Sequence, residues 1–284
     1  MVDLGCATGP NTFSVLTRVI DTIQHLRRNG NQDSQEFQVF LNDLPDNDFN
    51  GLFKLAESLK EEKGLVFGSR SRCFVYGVPG SFYTRLFPRN SLHFAFSSCS
   101  LHWLSQVPQG LVRQNKENIY ISISSPPEVL DAYAEQYKRD LSTFLRLRGE
   151  EMVPGGRMVL TFMGRKVNDF SSQEHYKFYS MLAQTLLDMV TEGLLERDDL
   201  YSFNIPFYMP CQQEVRSIIN QEGSGGKLVA ENIRAIMEPM LVSHFAKLKN
   251  CDALFERYSW KIGEYLLKEK AECHMLAFSL NRGD

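Results

Sequence analysis

Val2-Asp3-Leu4-Gly5-Cys6-Ala7-Thr8-Gly9 joins a short apolar run to a helical one across a glycine turn. Val2 to Gly5 reads as the end of a strand and Gly5 to Thr12 as a turn. Phe13 to Arg28 reads as a helix with Val15, Leu16, Val19, Ile20 and Ile23 at helical spacing. Strand, glycine turn and helix in that order open a βα unit. Met1 stands directly before the first strand residue with nothing to anchor it, so the chain is expected to be shortened at its N terminus.

The alternation continues downstream. After a polar loop, Asn29 to Gln35, a strand at Phe37-Gln38-Val39-Phe40-Leu41 ends at Asn42-Asp43, and a helix follows from Phe49 to Glu61. A third strand, Cys73 to Gly77, is closed by the turn Val78-Pro79-Gly80, and a fourth, Leu92 to Ser98, has a polar carboxyl end. Ile119 to Ile123 is expected as a short fifth segment. Val129 to Arg148 follows as a long amphipathic helix, Gly155-Gly156 as a turn, and Arg157 to Phe162 as a buried strand. From Ser171 to Glu196 the pattern is helical, then aromatic from Phe203 to Tyr208, and this part is the candidate cap. Two helices, Ala230 to Lys247 and Cys251 to Lys270, and a terminal strand, His274 to Leu280, complete the pattern. Strands alternating with helices predict an α/β fold with a parallel sheet.

Composition narrows the partners. The 284 residues include 43% hydrophobic and 23% charged residues, ordinary values for a globular chain able to bury a large core. Lys and Arg total 31 and Asp and Glu 34, a formal charge of -3, so no global positive field gathers nucleic acid or anionic membrane. The six cysteines are scattered without a metal-ligand spacing and are expected as reduced thiols. No apolar run approaches the roughly 20 residues of a membrane span. A cytoplasmic protein without nucleic-acid or membrane partners is expected.

The first turn carries chemistry. Its glycines allow tight turning and close approach to a ligand, but their spacing is neither G-x-G-x-x-G nor a phosphate loop. An acidic residue, Asp3, beside such a turn suits a cationic nucleotide. S-adenosylmethionine carries an ammonium and a sulfonium, and Asp43 at the second strand end could accept from its ribose hydroxyls. Either glycine could instead serve only the turn, and Asp43 only cap a helix; the two acids at adjacent strand ends favour the ligand. Ser81-Phe82 after the third strand and His102-Trp103 after the fourth bring a hydroxyl, two rings and an imidazole to the same sheet edge.

DLGCATGPNTFSV, then LNDLPDNDFN, GVPGSFYTRLFP, SSCSLHWLSQVP, GGRMVLTF, SFNIPFY and EPMLVSHF in order, resemble the plant SABATH carboxyl methyltransferases nearly end to end. This resemblance implies a Rossmann-like methyltransferase core under an α-helical cap, and a homodimer. The implied division is a first core part at 1–165, cap segments at 166–200 and 228–250, and remaining core at 201–227 and 251–284. Carried over by position, Cys6 and Asn11 hold the methionine part of the cofactor with Asp3 close by, Asp43 and Leu44 hold ribose and adenine, and Ser81 and Phe82 the adenine edge. His102 and Trp103 meet the substrate carboxylate. Cys99, Met163, Phe178, Tyr179, Tyr208, Ile233 and Ile236 line the pocket. The family's magnesium-like site falls on Asn115, Phe203 and Asn204, while its acidic member aligns with Tyr201, which has no carboxylate.

The resemblance also implies differences. The family's N-terminal segment, with a Tyr, a Ser and a Gln that close over the ligands, has no counterpart here. A longer family stretch is replaced between Gly223 and Lys227 by Ser224-Gly225-Gly226, so one sheet strand is expected to be missing. Cys99 and Cys273 stand where relatives carry aromatic rings. The implied reaction is attack of a carboxylate on the sulfonium methyl to give a methyl ester. No general base is needed, since a carboxylic acid with a pKa of about 4 is already ionised. The alternatives are N-methylation of a xanthine-type ring, with His102 as base, and an inactive paralogue that keeps only the fold.

Overall fold

The computed structural model describes residues 1–27, 36–63, 73–110, 115, 118–122, 124–165, 177–221 and 275–282. The strands are β1 (Val2–Leu4), β2 (Phe37–Asp43), β3 (Cys73–Pro79), β4 (Leu92–Ser98), β5 (Met152–Met163) and β6 (Met275–Asn281). The helices are α1 (Asn11–Arg27), α2 (Phe49–Lys63), α3 (Pro127–Glu151), α4 (Lys177–Thr191), α5 (Arg197–Ser202) and α6 (Gln212–Gln221).

The six strands form one sheet in the order β3-β2-β1-β4-β5-β6. β1, only three residues long, lies between β2 and β4 with Val2, Asp3 and Leu4 all buried. Strands β1 to β5 pair in parallel, but β6 runs antiparallel along β5 from Arg157↔Asn281 to Met163↔Met275. The sheet is therefore mixed rather than wholly parallel, and β6 covers the edge that β5 would otherwise leave open.

Two apolar layers flank the sheet. Phe13, Leu16 and Ile20 of α1 and Leu52 and Ala56 of α2 pack with Val39, Leu41 and Phe96 on one face. Val2, Leu4, Ala95 and Leu160 meet Val129, Tyr133, Tyr137 and Phe144 of α3 on the other. Successive strand side chains point to opposite faces, so each strand feeds both layers. Within α1 the buried stripe is Phe13, Leu16 and Ile20, and Val15 turns outward.

Several expected boundaries move. β5 starts at Met152, earlier than Arg157, because the chain pairs Leu92↔Met152, bulges, and resumes at Phe94↔Arg157. Gly155 sits in the bulge at φ 73°, and a Cβ on Gly156 would stand 2.9 Å from the Val153 carbonyl. Ile119, Tyr120 and Ile121 are buried but form no strand: both sides of β4 are already occupied by β1 and β5, so the segment packs as a loop. Of the expected cap helix from Ser171 to Glu196 the described part is α4, which ends at Thr191; the short α5 follows beyond that span, and α6, with Val215, Ile218 and Ile219 inward, was not anticipated. Among the described residues no helix is long and apolar enough to cross a membrane. The helices expected at Ala230–Lys247 and Cys251–Lys270 and the shortening expected at Ser224–Gly226 lie outside the described residues.

Candidate active site

The chain leaves β1 for β2 on one side and returns to β4 on the other, so a crevice opens at the carboxyl ends of these strands. The turn after β1 is built from backbone. Gly5 takes φ 82°, and a Cβ there would fall 2.3 Å from Ser100 Oγ and 3.5 Å from Phe82 Cε1. Three segments thus meet where only a hydrogen fits. The N–H groups of Gly5 and Cys6 donate to the Asn42 carbonyl at 2.9 and 3.0 Å, and Ser100 Oγ donates to the Gly5 carbonyl at 3.0 Å. Ala7 and Cys99, on either side of the crevice, hold left-handed backbone at φ 51° and 54°, an uncommon state for side-chain-bearing residues that recurs at binding sites.

Asp3 is buried in β1 and accepts a hydrogen bond from the Thr12 hydroxyl at the start of α1. Burial raises its pKa to about 7, opposed by the Thr12 bond and reinforced by the negative charge of Asp43. Burial, then Asp3 and Asp43, also push the Cys6 thiol up to about 12, so Cys6 is a neutral thiol. Asp43 Oδ2 accepts from the Ala7 N–H at 2.7 Å and Oδ1 from the Leu44 N–H at 2.8 Å. Leu44 and Asn11 are exposed at the crevice rim. Asn42, fully buried, donates to the carbonyls of Val78 and Gly80 at 2.8 Å each, tying the end of β2 to the turn that leads to Ser81 and Phe82.

Beside this acidic half lies an aromatic one. The segment after β4 pairs antiparallel with the 203–208 stretch through Trp103↔Phe207, with Leu104 N–H donating to the Pro206 carbonyl and Tyr208 N–H to that of His102. The Phe207 ring stands 4.7 Å from His102 and 5.1 Å from Trp103, and Tyr120 and Tyr179 pack on it at 5.6 and 5.5 Å. His102 is 4% exposed and its Nδ1 has no partner among the described residues, whereas Trp103 is 46% exposed. Burial lowers the His102 pKa to about 4, so its ring is neutral at neutral pH.

The expected site residues divide. Asp3, Cys6, Asp43 and Phe82 gather at the glycine turn; His102, Trp103 and Tyr179 gather in the aromatic cluster. Met163 is half-exposed at the end of β5, and Cys99 lies near Thr161, sulfur to Oγ1 4.0 Å. Tyr208 does not line this cluster. Its ring is fully buried 5.0 Å from Tyr137, beneath the Arg165 guanidinium, and its hydroxyl donates to Glu214 at 2.6 Å. In an extended segment neighbouring side chains face opposite ways, so Phe207 faces Trp103 and Tyr208 faces the core. Phe207, Tyr120, Tyr83 and Ser100 were not singled out from the sequence; only the aromatic character of 203–208 pointed there. The Phe178 side chain and Ile233, Ile236 and Cys273 lie outside the described residues.

The candidate magnesium residues do not fit that ion. Asn115 Nδ2 donates to Asn204 Oδ1 and to the Tyr120 carbonyl, both at 3.1 Å, and its Oδ1 accepts from Ser125 at 2.7 Å. Phe203 is half-exposed, and Tyr201 is a phenol. A hard cation seeks carboxylates and free carbonyls, and these amides are engaged in tying loops together. Among the described residues no group of three His, Cys, Asp or Glu could hold a metal.

Comparison with known proteins agrees with this geometry. A family model described as SAM dependent carboxyl methyltransferase matches residues 1–226. Probable jasmonic acid carboxyl methyltransferase 2 of Theobroma cacao is 43% identical over 99% of this chain and 85% of its own length. Salicylate/benzoate carboxyl methyltransferase of Arabidopsis thaliana is 42% identical over 93% and 75%. The solved structure of loganic acid methyltransferase with SAH superposes with a TM-score of 0.72 at 31% identity, covering all of this chain and 84% of that one. The chain belongs to the S-adenosylmethionine-dependent carboxyl methyltransferases.

Proposed function

We propose that this chain methylates the carboxylate of a small aromatic or jasmonate-like acid, with the cofactor on the Asp3–Asp43–Phe82 side of the crevice and the acid against Trp103. One observation carries the assignment. A half-exposed indole and a buried neutral imidazole stand on an aromatic floor next to a glycine turn flanked by two carboxylates. The acids suit a cationic ligand, and Phe82, beside Gly5, offers a ring to an adenine. S-adenosylmethionine, when bound, supplies a sulfonium methyl that passes to a carboxylate oxygen and leaves a neutral thioether.

The protein's own groups bind and aim. Asp3 and Asp43 favour positive charge at the turn. Trp103 and His102 hold the acid, which arrives ionised and needs no base. Aligning two ligands in one dry crevice supplies up to about 7–11 kcal/mol in favourable cases. His102, with its pKa lowered to about 4, is too weak a base to serve ring-nitrogen methylation at neutral pH. We assign residues 1–165 with 201–227 and 251–284 to the core, 166–200 and 228–250 to the cap, and a homodimer to the assembly.

Calorimetry with S-adenosylhomocysteine, followed by labelled methyl transfer to salicylate, benzoate, jasmonate and xanthosine, tests the assignment. Binding and ester formation on an acid are expected. A folded chain that binds no S-adenosylhomocysteine, or that methylates xanthosine alone, sinks it.

A further inference from the structure

We propose that Asp140 and Arg148 of α3 are positioning residues that set the spacing between the cofactor and acid halves of the crevice. The proposal rests on the functional assignment above.

The buried face of α3 carries Tyr133, Asp140, Phe144, Arg148 and Glu151 at helical three-and-four spacing. At its carboxyl end, Arg148 and Glu151 form a two-bond ion pair at 2.8 and 2.9 Å with both side chains fully buried. Arg148 also donates to the Phe82 and Thr84 carbonyls at 2.8 Å each. Glu151 Oε1 accepts from the N–H groups of Leu86 and Phe87 at 2.8 and 3.1 Å. The Arg148 guanidinium lies 5.5 Å over Phe144, whose ring meets Phe82 edge-on at 6.0 Å. Both the backbone and the ring of Phe82 are thereby held from α3.

Two turns earlier, Asp140 Oδ2 accepts from the Ser105 N–H at 2.8 Å, and Oδ1 accepts from the Ser105 hydroxyl at 2.7 Å and from Gln136 at 2.9 Å. Ser105 closely follows Trp103. Further back, Tyr133 donates to the Ile205 carbonyl at 3.0 Å, just before Phe207. One rigid helix thus grips the three segments that carry Phe82, Trp103 and Phe207. Buried charge is a poor source of net stability, because desolvation offsets the attraction. A planar, bidentate guanidinium is instead a source of fixed geometry. A small misplacement between donor and acceptor is costly to turnover, so a helix that sets it acts on rate without touching either ligand.

The two ends of α3 are expected to separate in their effects. Arg148→Lys weakens S-adenosylhomocysteine binding by about fivefold or more while KM for the acid moves less than about twofold. Asp140→Ala lowers kcat by about tenfold or more with S-adenosylhomocysteine affinity nearly unchanged, and Asp140→Asn, which keeps one acceptor and the shape, recovers most of it. Should either variant fail to fold, Phe144→Leu and Ser105→Ala loosen the same two tethers and carry the same expectations. Variants that lose cofactor affinity and turnover in one proportion, or lose only melting temperature, overturn the proposal alone. A wild-type chain that binds no S-adenosylhomocysteine overturns the functional assignment and this proposal with it.

Discussion

The Tyr83 hydroxyl donates a hydrogen bond of 2.7 Å to the carbonyl oxygen of Trp103. Burial, then the charge of Asp140, raises the Tyr83 pKa well above its ordinary value, so the phenol keeps the proton it donates. Its chain neighbour Phe82 packs beside Gly5 at the glycine turn. A single dipeptide therefore touches both the glycine turn and the aromatic cluster, and the indole proposed to face the acid is anchored through its own backbone.

Replacing Trp103 by Ala removes a half-exposed ring whose loss leaves the β4 end and the glycine turn intact. Turnover is expected to fall by about 100-fold or more, the size of effect lost with one oriented donor. Affinity for S-adenosylhomocysteine is expected to stay within about twofold. Equal turnover in the variant would remove Trp103 from the reaction.

Asp3 gives a pH signature. Its pKa is about 7 in the folded chain against an ordinary aspartate value of 3.8, so the folded form holds a proton that the unfolded form has released between these values. The stability it contributes is complete below pH 3.8 and is lost as pH rises through about 7. His102, lowered from 6.5 to about 4, acts oppositely: stability falls as pH drops from 6.5 towards 4. A cationic ligand prefers ionised Asp3, so S-adenosylmethionine affinity is expected to weaken below pH 7 by up to about tenfold per unit. Isothermal titration of Asp3→Asn should show that slope flattened; an unchanged slope places the titrating group elsewhere.

Phe207 and Tyr208 are expected to respond differently although adjacent. Tyr208→Phe removes one of the two donors to Glu214 Oε1, the other being Arg165 at 2.7 Å, and should cost about 1–3 kcal/mol in denaturant unfolding, with activity per folded molecule retained. Phe207→Leu should raise KM for the acid about tenfold or more, because the ring meets both His102 and Trp103. A KM change confined to Tyr208→Phe would reverse the two roles.

At Gly5 the restraint is backbone as well as space. Alanine there would hold φ 82° and press its Cβ to 2.3 Å from Ser100 Oγ. Gly5→Ala is expected to destabilise the chain by about 1–3 kcal/mol and to weaken cofactor binding. Adding Ser100→Gly should recover only the steric share, measured as a partial return of the unfolding midpoint. Full recovery would mean the backbone conformation carries no strain.

The βα alternation, the glycine turn, and the placing of Asp3, Asp43, Phe82, His102 and Trp103 at strand ends were all legible from the residues in order. Helix and strand periods, turn glycines and the polarity of a strand end are local properties, written within a few residues of one another. Pairing, facing and long-range tethering are not local. Only the folded chain decides that β6 runs antiparallel on β5, that Ile119–Ile121 packs as a loop, and that Phe207 rather than Tyr208 faces the indole. It also decides that Asn115 and Asn204 bind each other and that Arg148 grips the Phe82 loop. Each of these depends on a partner distant in sequence, and an extended or buried segment reads the same whichever partner it finds.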